Sequence, residues 1–255
     1  MLNSLDLFSG YGGITLALRE YCKPIGYCEI ERYAQGIIAS RIADGELPIA
    51  PIYPDITKLR GGVDTVDIIT GGFPCQDISV AGNGKGLEGK RSGLFFEIIR
   101  ITKETRAPFV FLENVPAIRT RGLREVIRAF TEIGYDRRWT CLSAASVGAP
   151  HKRERWFLLA HANSNDLRKQ SNRKSKCESK DEPRHNGSQE SLAQLKTAGT
   201  SGNGYETASE WWSTEPNVCR VVDGCPNRVD RIKALGNGVV PLQVEKAFEK
   251  LMGLT

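Results

Sequence analysis

The run Val66-Asp67-Ile68-Ile69-Thr70, closed at once by Gly71-Gly72, is the feature that most restricts what this chain can fold into. It is short, largely β-branched and bounded by glycines, so it reads as a buried strand of a parallel sheet, covered on both faces. Such a strand delivers the following Phe73-Pro74-Cys75-Gln76 to the carboxyl edge of the sheet, where open α/β sheets bind their ligands. Pro74 fixes φ and lacks a donor, so the approach to Cys75 is stiff and non-helical. A thiol presented this way is a candidate nucleophile, with a buried structural cysteine as the alternative.

The flanking chain predicts the rest of an α/β sheet. Residues 4–8 read as a first strand, and Ser9-Gly10-Tyr11-Gly12-Gly13 as a turn into a helix that begins near Ile14. Glycines there let the backbone approach a ligand and expose helix N-terminal amides. The spacing is not G-x-G-x-x-G, which counts against a nicotinamide dehydrogenase. A second strand over 24–29 ends in Glu29, at the separation where a carboxylate accepts hydrogen bonds from ribose hydroxyls. Asp55 closes an expected third strand.

Beyond Cys75, residues 80–93 are glycine-rich and basic, with Lys85, Lys90 and Arg91. They read as a lid able to close over a polyanion, or as a solvated loop. Residues 94–102 have helical apolar spacing. An apolar strand over 108–112 then ends in Glu113, a position where a carboxylate is costly unless paired or used. An amphipathic helix is expected over 122–133, followed by antiparallel strands over 137–145 and 155–160. Strand alternation points Arg153 and Arg155 to one face, toward one anionic partner.

After Ala160 the composition turns polar: residues 161–204 are dominated by Ser, Asn, Lys, Gly and Gln and carry too few aliphatics for a core. Globular composition returns over 229–251, with a turn at Gly236-Asn237-Gly238 and a helix opened by Pro241. The expected organisation is therefore a catalytic and cofactor-binding segment over 1–160, a recognition region over 161–228 and a returning segment over 229–255. With 255 residues and 40% hydrophobic content, one sizeable core and a small appendage are possible. No apolar run approaches the ~18 residues of a membrane span. The seven cysteines include no C-x-x-C pair, which argues against a disulfide framework or zinc ribbon. A soluble, cytoplasmic chain is expected, and its net charge of +5 permits a nucleic-acid partner without requiring one.

Seven blocks stand in a characteristic order: LDLFSGYGGITLAL (5–18), CEIERYA (28–34), PDIT (54–57), GGFPCQ (71–76), FLENVP (111–116), GAPHKRER (148–155) and RIKALGNGVVP (231–241). Together they resemble the motifs of the cytosine carbon-5 DNA methyltransferases, of bacterial or phage type with a short target-recognition region. The resemblance implies a Rossmann-like, S-adenosylmethionine-dependent α/β fold, a mixed and mostly parallel sheet with helices on both faces. It implies Cys75 as the nucleophile that adds to carbon 6 of a flipped-out cytosine, a protonated Glu113 at ring nitrogen 3 and Arg155 at the exocyclic oxygen, with Arg153 beside it. For S-adenosylmethionine it implies Phe8, Ser9, Gly10, Gly12, Gly13, Glu29, Ile30, Asp55, Ile56, Pro74, Asn237 and Val239, Asp55 facing the adenine amino group. For DNA it implies Lys85, Lys90, Arg91 and His151. Double-stranded DNA is the implied partner of a monomeric enzyme that needs no metal, alongside a separately acting restriction endonuclease. Two departures stand out: His151 where the family usually has glutamine, and Gly238 where another residue is common. An RNA (tRNA) cytosine methyltransferase on the same fold and a catalytically silent DNA-binding relative are the alternatives.

Overall fold

The computed structural model describes residues 1–61, 65–74, 93–163 and 238–254. Cys75, the expected lid over 80–92, the polar segment from 164 and the turn at 236–237 lie outside the described residues. The elements are β1 (Leu2–Leu7), α1 (Gly13–Ala17), β2 (Cys22–Cys28), α2 (Arg32–Ala43), β3 (Ile52–Tyr53), β4 (Ile68–Gly72), α3 (Gly93–Thr105), β5 (Phe109–Asn114), α4 (Ile118–Arg121), α5 (Leu123–Glu132), β6 (Tyr135–Ser143), β7 (Glu154–Ala162) and α6 (Pro241–Met252).

The strands form one sheet in the order β3-β2-β1-β4-β5-β7-β6. All neighbouring pairs are parallel except those made by β7, which runs antiparallel to both β5 and β6. The expected α/β fold is therefore present, and its apolar runs are explained by burial on both faces. On β5, Val110 and Leu112 pack with Ile98 and Ile101 of α3 and Val126 and Phe130 of α5. Phe111, between them, points to the other face and meets Ile14, Val244 and Phe248. This is the period-two alternation of a strand. Phe111 meets Phe248 edge-on at a centroid distance of 5.3 Å and 88°, a pairing that adds about 0.5–1.5 kcal/mol to simple burial. In this way α6 is held on the sheet although 228 residues of chain separate Tyr21 from Glu249, which its phenol also reaches at 2.7 Å.

A polar joint lies at the centre. Asp6 of β1 is fully buried and accepts hydrogen bonds from Thr15 Oγ1 of α1 at 2.8 Å and Thr70 Oγ1 of β4 at 3.0 Å. Burial pushes its pKa up to about 7 despite those donors.

Element boundaries differ from the expected ones for local reasons. β6 begins at Tyr135 because the Tyr135 hydroxyl donates to Ala107 O at 2.7 Å, and it ends at Ser143, whose Oγ accepts from Ser146 N and starts a 3-10 turn. β7 continues to Ala162, opposite Tyr135, so pairing runs past the change in composition at residue 160. β3 has two residues, which leaves Asp55 on the turn after it rather than at a strand end. Helix α2 was not expected from the sequence: Ile38 is its one fully buried side chain, too narrow an apolar stripe to announce a helix. No helix of the described residues is long and apolar enough to cross a membrane.

The order of strands fixes where a ligand goes. From β1 the chain winds outward through β2 and β3, then returns to β4 on the other side of β1 and continues to β5. The crevice at the carboxyl ends of β1 and β4 is the topological switch point. Because β7 is reversed, its first residues arrive at the same edge.

Candidate active site at the carboxyl edge

One side of the crevice is built from the ends of β1 and β2. Ser9 joins them: its Oγ donates to Asp6 O at 2.7 Å and accepts from Cys28 N at 3.2 Å. Phe8 is held at φ 54°, an uncommon and strained state for a non-glycine residue, which turns the chain sharply out of β1. Glu29, 8% exposed, spans the two loops, accepting from Gly10 N through Oε2 and from Glu31 N through Oε1, both at 2.8 Å. Ile30 beside it is 68% exposed, an apolar side chain facing out of the edge. Asp55 accepts from Thr57 N at 2.9 Å and Thr57 Oγ1 at 2.7 Å, and those bonds hold its carboxyl below the usual range. Ile56 has its side chain in the core; only its backbone reaches the edge, where its carbonyl accepts from Arg100 Nη2 at 2.9 Å.

The other side is built from β4, β5 and β7. Register sets Gly72 of β4 opposite Glu113 of β5, and Glu113 opposite Phe157 of β7. Arg155 Nε lies 2.8 Å from Glu113 Oε1, with both side chains largely buried. Burial raises the Glu113 pKa to about 7, against the opposing pull of Arg155 and Arg153. Arg153 approaches the same carboxylate and also donates to Gly238 O, so it is drawn toward the C-terminal segment as well as toward Glu113. The two arginines thus converge as their alternation predicts, and Arg155 pairs directly with Glu113. Pro74 is exposed at the end of β4, the last described residue before Cys75. His151 is exposed in the turn before β7.

Phe8, Ser9, Gly10, Gly12, Gly13, Glu29, Ile30, Asp55, Pro74, Glu113, Arg153 and Arg155 therefore belong to one edge of one sheet or the loops at it, and Val239, in the segment before α6, contacts the first of those loops through Tyr11. Cys75, Lys85, Lys90, Arg91 and Asn237 lie outside the described residues. Three residues not singled out in the sequence also act here. Asn114 Nδ2 donates to Phe73 O at 2.9 Å and its Oδ1 accepts from Val115 N at 2.8 Å, bracing the turn that leads to Cys75. Gln243 of α6 donates to both Leu142 O and Arg153 O, at 2.8 and 2.9 Å. Tyr11 donates to Val239 O at 2.8 Å. Asn114 and Tyr11 sit inside motif blocks beside more distinctive residues, whereas Gln243 carries no local signal.

Fold and edge define a doubly wound, Rossmann-like α/β protein with an acid–arginine pair beside the crevice at its topological switch point. A family model described as C-5 cytosine-specific DNA methylase matches residues 2–223. The chain belongs to that family, whose members use S-adenosylmethionine as methyl donor. It is similar to the type II methyltransferase M.CviJI of Paramecium bursaria Chlorella virus IL3A, 39% identical over 62% of this chain and 42% of that one. It is also similar to the type II methyltransferase M.HhaI of Haemophilus parahaemolyticus, 35% identical over 64% of this chain and 50% of that one. The chain spans about half the length of the curated relatives it matches. Among solved structures, an Escherichia coli prophage-encoded putative DNA modification methyltransferase superposes with a TM-score of 0.52 at 27% identity, over 66% of this chain and 48% of that one. The S. pombe Dnmt2 methyltransferase superposes with a TM-score of 0.62 over 99% of both chains, at 17% identity, a likeness of fold alone.

Proposed function

We propose that this chain transfers a methyl group from S-adenosylmethionine to carbon 5 of a cytosine in duplex DNA. The observation that carries the reading is the buried Glu113–Arg155 pair, 2.8 Å apart, at the strand edge where β4 ends three residues before Cys75 in the sequence.

The residues of the β1–β2 side suit the cofactor. Among the described residues, a Cβ at Gly10 would meet nothing within 4 Å, and Glu29 and the exposed Ile30 lie alongside. Each Glu29 oxygen already accepts one amide and has a further lone pair for a ribose hydroxyl. Asp55, held ionised by Thr57, is suited to accept from an adenine amino group. When bound, S-adenosylmethionine supplies an electrophilic methyl group.

The remaining chemistry belongs to the chain. Carbon 5 of cytosine is a poor nucleophile until a thiolate adds to carbon 6, and Cys75 is the residue assigned that addition. Negative charge then grows toward nitrogen 3 and the exocyclic oxygen. Glu113, kept acidic to near neutrality by burial, donates at nitrogen 3, and Arg155 meets the oxygen. Loss of the carbon 5 proton and departure of Cys75 restore the aromatic ring. The target leaves the duplex to reach this edge, at a cost of a few kcal/mol. The polar segment between β7 and α6 is assigned to reading the DNA, with Lys85, Lys90, Arg91 and His151 as phosphate or base contacts.

Labelled methyl transfer tests the proposal. Duplex DNA is expected to take up label at cytosine while tRNA does not; label in tRNA alone, or in neither, contradicts it.

A further inference from the structure

We infer that Tyr11 and Gly238 are a matched pair, and that Tyr11 is the positioning residue that sets how closely the C-terminal segment approaches the glycine loop of the cofactor site. The inference rests on the cofactor assignment above for its functional meaning, but its geometry is independent of it.

Tyr11 stands in the middle of the loop between β1 and α1, flanked by Gly10 and Gly12. Its ring reaches across to the segment that precedes α6, where the hydroxyl donates to Val239 O at 2.8 Å. A Cβ at Gly238 would lie 2.5 Å from Tyr11 Cε1 and 2.7 Å from Tyr11 Oη, distances no side chain tolerates. The ring is held in place by more than this contact: the Arg41 guanidinium lies over its face, 5.1 Å from the centroid, and Arg41 Nη1 also donates to Tyr11 O at 3.1 Å. A Cβ at Gly13 would likewise meet Val239 Cγ2 at 2.9 Å and Tyr11 Cε2 at 3.0 Å, so loop and segment are in contact along both residues.

The consequence reaches the chemical side. The two successive carbonyls of the segment are held from different directions, that of Val239 by Tyr11 and that of Gly238 by Arg153. Arg153 stands two residues from Arg155, which pairs with Glu113, and Gln243 holds the Arg153 carbonyl from α6. A continuous line of contacts therefore runs from Arg41 through Tyr11 and residues 238–239 to Arg153. A side chain at 238 would push the segment off the loop at the joint where this line crosses the cofactor crevice. Tyr11 fills the space that such a side chain would need, and so glycine at 238 is required by tyrosine at 11.

A double-substitution cycle tests the pairing, read by S-adenosylmethionine affinity in calorimetry and by thermal melting of the cofactor-free chain. Tyr11→Phe, which keeps the ring and loses one neutral hydrogen bond, is expected to weaken binding about 2- to 10-fold. Gly238→Ala is expected to weaken binding at least about tenfold and to lower the melting temperature. Adding Tyr11→Ala to Gly238→Ala is expected to recover both, giving the double variant an affinity within about threefold of Tyr11→Ala alone. A harmless Gly238→Ala, or losses that multiply in the double variant, overturns the pairing. If Gly238→Ala does not fold, recovery of a folded double variant counts for the pairing and failure of both counts against it. If the parent chain binds no S-adenosylmethionine, the cofactor assignment fails, and the same rescue pattern in melting temperature alone decides the pairing.

Discussion

The carboxylate of Glu113 occupies the space that a side chain at Gly72 would need: a Cβ there would lie 2.9 Å from Glu113 Oε2, and sheet register sets the two residues opposite each other. The second glycine of the Gly71-Gly72 pair is thus a condition for placing an acid at the end of β5. Gly72→Ala is expected to displace that carboxylate from Arg155 and lower kcat by about 10- to 100-fold, the scale of a misplacement near 1 Å, with little change in S-adenosylmethionine affinity. An unchanged kcat shows that the acid's position does not matter.

Burial of Glu113 makes stability depend on pH with a definite sign. Its folded pKa is raised from 4.5 to about 7, so the folded chain holds this proton where the unfolded chain has lost it. Stability from this group is fully present below about 4.5 and is lost as pH rises toward 7, by a difference on the order of 3 kcal/mol. Denaturant melts at pH 5 and pH 8 are expected to show the parent losing more stability than Glu113→Gln over that interval. A parent that gains stability relative to the variant contradicts the direction. Asp6, raised to about 7 from 3.8, adds a slope of the same sign, separable by Asp6→Asn.

Glu29 links two backbone amides and is assigned the ribose. Glu29→Ala is expected to weaken S-adenosylmethionine binding by about 1–3 kcal/mol, and Asp55→Ala to weaken it in the same direction. Calorimetry that finds both variants binding like the parent moves the cofactor elsewhere.

Asn114 braces the Phe73 carbonyl, two residues before Cys75, which is proposed as the nucleophile. Asn114→Ala leaves that carbonyl without its donor, so kcat is expected to fall at least about tenfold while cofactor affinity stays near the parent value. A change confined to cofactor affinity counts against this role.

Much of this site was legible because its residues follow strand ends. The strand over 24–29 and the apolar run Phe109 to Leu112 each end in an acid that must stand at the sheet edge, which marks Glu29 and Glu113, and strand alternation marks Arg155 together with Arg153. Contacts between distant segments were not legible. Nothing local in Gln243 announces that it bonds Leu142 and Arg153, and nothing in Tyr11 announces Val239, because those partners are brought near only when α6 packs its Phe248 on Phe111. Helix α2 was missed for the opposite reason: one buried residue, Ile38, gives little periodicity to read. Alternation gives Arg153 the same face as Arg155 but not the Gly238 carbonyl to which it also donates, a partner from a distant segment.

The central claim is that Cys75 bonds covalently to the target base at this edge, and trapping that bond tests it most directly. Duplex DNA carrying 5-fluorocytosine cannot lose a proton from carbon 5 after methyl transfer, so elimination of the thiol is blocked. Mass spectrometry of the chain incubated with this duplex and S-adenosylmethionine is expected to show a one-to-one adduct through Cys75, absent from Cys75→Ser. Methylation of ordinary duplex DNA with no adduct on the fluorinated one, or an adduct that persists in Cys75→Ser, contradicts the account.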